Sequence, residues 1–374
     1  MYVINSFGAG GAERHVAALV RSMVHSGHAV MVVALTKIVV GGAKDMEGDF
    51  IATGAHIVTL DFLGFRWLLS AGSWFGLYKL SKSWAPDILH SHLPRADFAA
   101  SIVKLLLPDV IWISTVHDAY IKGVYSGYWV FRWLSWNWRV VDHVIAVSGH
   151  AQRWVLEVLR LPEVKISIIY HGVARLPADI QLRGEVADGH PFLIGCLARF
   201  EQRKGIATLI KAMVIVCAKQ PNARLVIAGS DPTGYANEMR RLADRLQIGH
   251  AVDIQKFCED PIDFLCRLDA FAFASVSEGF GIVLLEAMAV GLPIVASDIY
   301  PLNYIIVPGE TGILAISDKP DSFAAALIEL MENPELAHRI GEAGRDRCLQ
   351  EFSDEKMLKS TESLYLNLVA QAYY

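Results

Sequence analysis

Three turns, each directly after an apolar run, hold the residues best placed to do chemistry. The first lies in SEGFGIVLLEAMAVGLPIVAS, residues 277–297. Glu278, Gly279, Phe280 and Gly281 form a turn after AFAFAS, and IVLLEAMA then has helical spacing until Gly291 and Pro293 stop it. Two glycines ahead of a helix let backbone amides approach an anion closely. The helix start adds unpaired N–H groups and the positive end of the dipole. A diphosphate suits such a place. Glu286 lies about one turn into that helix, where a carboxylate can accept two hydrogen bonds from the vicinal hydroxyls of a ribose or sugar. Spacing alone also allows a plainer reading, with Glu278 as a helix cap and Glu286 as a solvated position.

The second turn is GCLARFEQRKG, residues 195–205, where Arg199 follows a strand and Lys204 precedes the helix IATLIKAMVIVCAK. Arg offers a planar fork to phosphate oxygens and Lys a point charge, so the pair can neutralise a leaving diphosphate. Two solvated loop cations are the alternative. The third is NSFGAGGAERHV, residues 5–16, with Gly8, Gly10 and Gly11 between the first strand and a helix opening near Ala12. Glu13 stands where the dinucleotide fingerprint has its final glycine, so the turn serves either nucleotide binding or close strand–helix packing. The five cysteines, Cys196, Cys217, Cys258, Cys266 and Cys348, show no C-x-x-C pair, which argues against both a disulfide framework and a zinc site.

The elements that position these turns alternate in type. YVIN, AVMVVAL, AHIVTL, DILH, VIWISTV and VDHVIAVS read as strands of a first half. FLIGCLA, RLVIAG, AVDIQKF, AFAFAS and PIVAS read as strands of a second. Strands apolar on both faces and separated by helical stretches imply parallel sheets covered on both sides, a doubly wound α/β pattern occurring twice. A length of 374 residues agrees with two domains. The periodicity is weakest between His171 and Pro191, which reads as the linker. The expected domains are 1–172, completed by 355–374, and 173–354. The last segment opens with a cap at Ser353 and continues with helical spacing. The halves differ in charge and composition. Residues 1–170 carry 15 Lys and Arg against 12 Asp and Glu, a net of +3, and the remainder nets −8. All nine tryptophans fall between Trp67 and Trp154, in the first half. An overall charge of −5 without a basic stripe argues against a nucleic-acid partner.

GAGGAER, LARFEQRKG, LVIAGSDP and SEGFGIVLLEAMAVGLPIVASD, in this order and spacing, resemble family 4 of the retaining glycosyltransferases. So does the ending FSDEKMLKSTESLYLNL. The likeness covers essentially the whole chain and is densest over 192–315. It implies the GT-B fold: two Rossmann-like domains facing each other across a cleft, with a C-terminal helix crossing back to the first. It also implies a retaining transfer of sugar from a nucleoside-diphosphate donor to a lipid-linked or saccharide acceptor, in polysaccharide or glycolipid synthesis. On that likeness Arg199 and Lys204 match diphosphate ligands. Glu278 matches the glutamate beside the sugar hydroxyls at the reacting centre. Phe280 and Gly281 match backbone contacts to the sugar, Ile282 and Val283 match amides at the phosphate, and Glu286 matches the ribose ligand. Gly11 matches the first-domain loop over the diphosphate, and His117, in STVHDAY, matches a histidine facing the sugar. The base loop carries Phe257 and Cys258, with Cys258 where the family often has glycine. The loop SDPTGY also departs from the family's usual further glycine. No metal or other cofactor is implied.

Two alternatives stand beside this. One is a non-catalytic nucleotide-sugar binder. The other is a nicotinamide-dependent oxidoreductase, disfavoured because AVMVVALT ends without the acidic residue that would hold a ribose. The start MYVINSF has neither the basic region nor the cleavage site of a signal peptide, which points to a cytoplasmic chain. Residues 62–84 and 120–139 mix Trp, Phe and Tyr with Arg and Lys. They are candidates for peripheral contact with an anionic inner-membrane face, or else ordinary buried helices.

Overall fold

The computed structural model describes residues 1–8, 10–37, 45–60, 69–118, 135–176, 190–231, 233–255 and 260–373. The chain divides into two compact units, Met1–His171 with Asp354–Tyr374, and Gly172–Ser353. Most of the expected linker lies outside the described residues.

In the first unit the described strands are β1 (Tyr2–Ile4), β2 (Met31–Ala34), β3 (His56–Thr59), β4 (Ile88–His92), β5 (Ile111–Val116), β6 (His143–Ala146) and β7 (Ile166–Ile168). They form one sheet in the order β3-β2-β1-β4-β5-β6-β7, and every pairing is parallel. The strands are apolar throughout because both faces are covered, and successive side chains alternate between two cores. Val3, Val33 and Trp112 enter one, with Leu77 of helix Leu69–Trp84 and Ala100 and Val103 of helix Pro94–Leu106. Tyr2, Ile4, Val32 and Ile113 enter the other, with Val16, Leu19 and Val20 of helix Gly11–His25. Met357 and Tyr365 of helix Asp354–Tyr373 join that second core, so the C-terminal helix belongs to the first unit.

The second unit repeats the plan with β8 (Phe192–Leu197), β9 (Ala223–Ala228), β10 (Val252–Ile254), β11 (Ala270–Phe273), β12 (Ile294–Ser297) and β13 (Ile313–Ala315), ordered β10-β9-β8-β11-β12-β13 and parallel. Ile194, Cys196, Leu225 and Ala272 pack against Leu209 and Met213 of helix Ile206–Lys219 and Leu327 of helix Pro320–Glu332. The order reverses between β1 and β4 in one sheet and between β8 and β11 in the other. Chains leave the carboxyl ends there in opposite directions and open a crevice for a ligand. The segments entering and leaving the second unit are joined, since Val173 N–H donates to the Phe352 carbonyl at 2.9 Å.

The aromatic stretches are only partly visible, because 62–68 and 120–134 fall outside the described residues. Among the described tryptophans, Trp112, Trp138 and Trp154 are buried, and Trp74 and Trp84 pack partly buried against the same core. Phe75 is the exposed aromatic of helix Leu69–Trp84, with the Lys79 ammonium 4.6 Å from its ring centroid. No described helix is long and apolar enough to cross a membrane.

Candidate active site

The second sheet presents two loops side by side at its β8/β11 reversal. After β8 the chain passes Arg199, makes a short turn at Gln202–Lys204, and enters its helix through Gly205 at φ +65°. A Cβ on Gly205 would stand 1.9 Å from the Ala274 carbonyl oxygen, so only glycine permits this approach of the loops after β8 and β11. The seam then continues residue by residue. Val276 N–H donates to the Arg203 carbonyl at 2.9 Å, and the Arg203 guanidinium donates to the Ser277 carbonyl at 3.3 Å. Lys204 Nζ pairs with Glu278 Oε1, and Ser275 Oγ donates to the same oxygen at 2.8 Å. Glu278 and Lys204 are both buried. Burial pushes the Glu278 carboxyl upward. Lys204, Arg203 and the hydrogen bonds to Oε1 outweigh it and hold the group below its usual range, hence ionised. Arg199 is more open, with its guanidinium 3.0 Å from Glu201 Oε1. Arg203 Nε donates to the other oxygen of Glu201 at 2.9 Å, so one carboxylate pins both arginines.

Gly281, at φ +100°, starts helix Ile282–Val290, and no side chain caps that start. The first-turn amides therefore have no side-chain acceptor competing with a ligand. Leu284, Leu285 and Ala287 to Val290 are buried, whereas Ile282, Val283 and Glu286 are only partly so. These three share one helix edge, which puts Glu286 on the same side as the open amides. Phe280 is buried, its ring 5.9 Å from that of Phe352, so the ring is committed to packing. Arg199, Lys204, Glu278, Phe280, Gly281, Ile282, Val283 and Glu286 thus lie on two adjacent loops of one unit. Phe257 and Cys258 lie outside the described residues.

Gly11 and His117 belong to the first unit. Gly11 is the exposed first residue of its helix, behind Gly10. His117 follows β5 and is one of five imidazoles at the β1/β4 reversal. Its Nε2 is 2.9 Å from His92 Nδ1 and its Nδ1 is 3.4 Å from His171 Nε2. His171 Nδ1 is 3.1 Å from His15 Nδ1. His90 bonds Thr115 Oγ1 at 2.7 Å and the Tyr365 hydroxyl of the C-terminal helix. Burial lowers the pKa of all five, that of His15 to about 4, so the cluster is neutral near pH 7. Both ring nitrogens of His117 face other histidines, and the residue is partly exposed. Asp97 is buried nearby, bonded by the Ser91 and Ser114 hydroxyls at 2.7 Å each, and burial pushes it up to about 7.

Sequence reasoning passed over Glu201, Arg203, Ser275 and the histidines at 15, 90, 92 and 171. Arg203 adjoins Lys204, Ser275 closes AFAFAS, and HSH marks residues 90–92 at a strand end, but these local cues do not say what the side chains meet. Among the described residues, no three His, Cys, Asp or Glu side chains gather to hold a metal ion.

Two parallel-sheet α/β units, with an anion-type site at a sheet reversal, define a GT-B architecture. A solved structure with that fold is Anabaena Alr3699/HepE in complex with UDP and glucose. It superposes with a TM-score of 0.83 at 19% identity, covering 97% of this chain and 98% of that one. The model of "Glycosyltransferase Family 4" matches residues 9–175, and that of "Glycosyl transferases group 1" matches 179–347. A phosphatidyl-myo-inositol mannosyltransferase of Mycobacterium tuberculosis is 30% identical over 356 residues, covering 90% of this chain and 87% of the relative. A glycogen synthase of the same organism is 27% identical over 391 residues, covering 96% and 91%. The chain belongs to glycosyltransferase family 4 and is a glycosyltransferase. The nicotinamide-dependent and non-catalytic alternatives fall with that assignment.

Proposed function

We propose that this glycosyltransferase takes its sugar from a nucleoside-diphosphate donor held on the two loops of the second unit and transfers it with retention of anomeric configuration. The observation that carries the reading is the Lys204–Glu278 pair at the β8/β11 reversal, beside an uncapped helix start. When the bond from the anomeric carbon to the diphosphate oxygen breaks, its electron pair goes to the diphosphate. The sugar carbon gains positive character. Arg199, Lys204 and the amides of Ile282 and Val283 stabilise the charge developing on the leaving group, which needs no metal there. Glu278 has both recorded bonds on Oε1, which leaves Oε2 for sugar hydroxyls. Glu286 takes the ribose. Gly11 and His117 act from the first unit, and Phe257 and Cys258 belong to the base loop. Retention rests on the family resemblance. The donor class draws support from the UDP and glucose in the HepE complex.

The acceptor we propose is lipid-linked, reached by peripheral contact with a cytoplasmic anionic membrane face, in glycolipid or polysaccharide synthesis. The mannosyltransferase relative supports this, as does exposed Phe75 beside Lys79, with Lys82 exposed further along the same helix. Nucleotide release measured with a panel of sugar donors, with and without acceptor, tests the donor assignment. Proton NMR of the product reads the anomeric configuration, and inversion rejects the retaining reading. Flotation with anionic vesicles tests the membrane part, which fails if the protein stays wholly at the bottom.

A further inference from the structure

Lys204 has two claims on it. In the free protein it is committed to Glu278, a buried carboxylate. During transfer it is needed on the leaving diphosphate. A buried carboxylate left without a counter-charge is strongly unfavourable, so Lys204 can turn away only if another cation remains beside Glu278. Arg203 is that cation by placement. Its backbone carbonyl accepts from Val276 N–H at 2.9 Å, and its guanidinium donates to the carbonyl of Ser277, the residue before Glu278, at 3.3 Å. The other side of the fork is tied to Glu201 at 2.9 Å, and the side chain is 14% exposed. So Arg203 is anchored at both ends of its fork, while Lys204 is a single ammonium on a flexible stem.

We propose that Arg203 is a positioning residue: it supplies the standing counter-charge of the Glu278 loop and so frees Lys204 to move between Glu278 and the diphosphate. The proposal rests on the donor reading given above. Arg203 need not touch the donor. It acts through Glu278, whose carboxylate it steadies across the seam, and through Glu201, which it shares with Arg199. An arginine that merely folded the loop would act whether or not Glu278 were charged.

A double-mutant cycle separates the two roles. Affinity for UDP, GDP and ADP is measured by calorimetry for the wild type, Arg203→Met, Glu278→Gln and the double variant. With Glu278 charged, Arg203→Met should weaken nucleotide binding by ~10-fold, within the range found for coupled charged groups. With Glu278→Gln in place, the same change should cost less than about 2-fold, because no carboxylate is left to steady. Arg203→Lys should fall between, since it keeps the charge and loses the fork. It carries the cycle if the Met variant fails to fold, as judged by circular dichroism. Equal losses in both backgrounds, or no loss with Glu278 intact, would overturn the proposal while the donor reading stands. A wild type that binds none of the three diphosphates overturns both.

Discussion

Lys204 and Glu286 are the side chains on which the donor assignment is most exposed to test. Lys204→Ala and Glu286→Ala should each lower turnover by at least ~10-fold, equivalent to about 1.4 kcal/mol of transition-state stabilisation. Nucleotide release under saturating acceptor measures it, and unchanged rates in both reject the assignment. Lys204→Ala also removes the ammonium paired with buried Glu278 and leaves Arg203 as the remaining cation there, so its melting point should fall modestly as well. Charged residues beside Gly-rich turns were legible in the sequence because their chemistry is local: Arg199, Lys204, Glu278 and Glu286 lie where motif and strand end coincide. Arg203 was not, because its work depends on the loop after β11, 74 positions away. The histidine cluster was illegible for a similar reason. Residues 15, 90, 92, 117 and 171 meet only because strand order reverses between β1 and β4.

At the scale of elements, the approach of the two site loops depends on one backbone. Gly205→Ala places a methyl against the Ala274 carbonyl and imposes a left-handed conformation, which alone costs about 1–2 kcal/mol. The melting point should drop by several degrees. Nucleotide affinity should fall further than at Gly234, which is also left-handed but has open space around its Cβ position. Equal effects at both glycines would show that strain, not the seam, governs binding. The strands were readable because both sheets are covered on two faces, which gives uninterrupted apolar runs. β7 and β13, each a three-residue strand at a sheet edge, were not read from the sequence. Of the described tryptophans in the two stretches read as lipid-facing or as buried helices, Trp138 is buried in the core of the first unit and Trp74 and Trp84 pack partly buried against it, where large rings bury the most apolar area.

For the molecule as a whole, acid should act through the first unit. The five clustered histidines are neutral when folded and have ordinary affinity for protons when unfolded. Their contribution to stability is full above about pH 6.5 and is lost as pH falls, through about 4 for His15. Asp97 has the opposite sign. Raised from 3.8 to about 7, it is protonated in the fold first, so its contribution grows as pH falls through 7. Five groups outweigh one, and the melting point should decline from pH 7 to pH 4. Asp97→Asn should make that decline steeper, and a flat profile would contradict the neutral cluster. The route of the chain has a different consequence. Ribosomal synthesis runs from the amino end, and domains generally fold as units once they emerge. Met357 and Tyr365, with partly buried Leu368 and Val369, complete the core around β1, so the amino-terminal unit stays unfinished until the helix beyond residue 353 has emerged. The unbroken stretch Gly172–Ser353 emerges complete beforehand. In nascent chains arrested so that residue 353 has just cleared the ribosome, protease resistance should therefore appear first in the portion translated second.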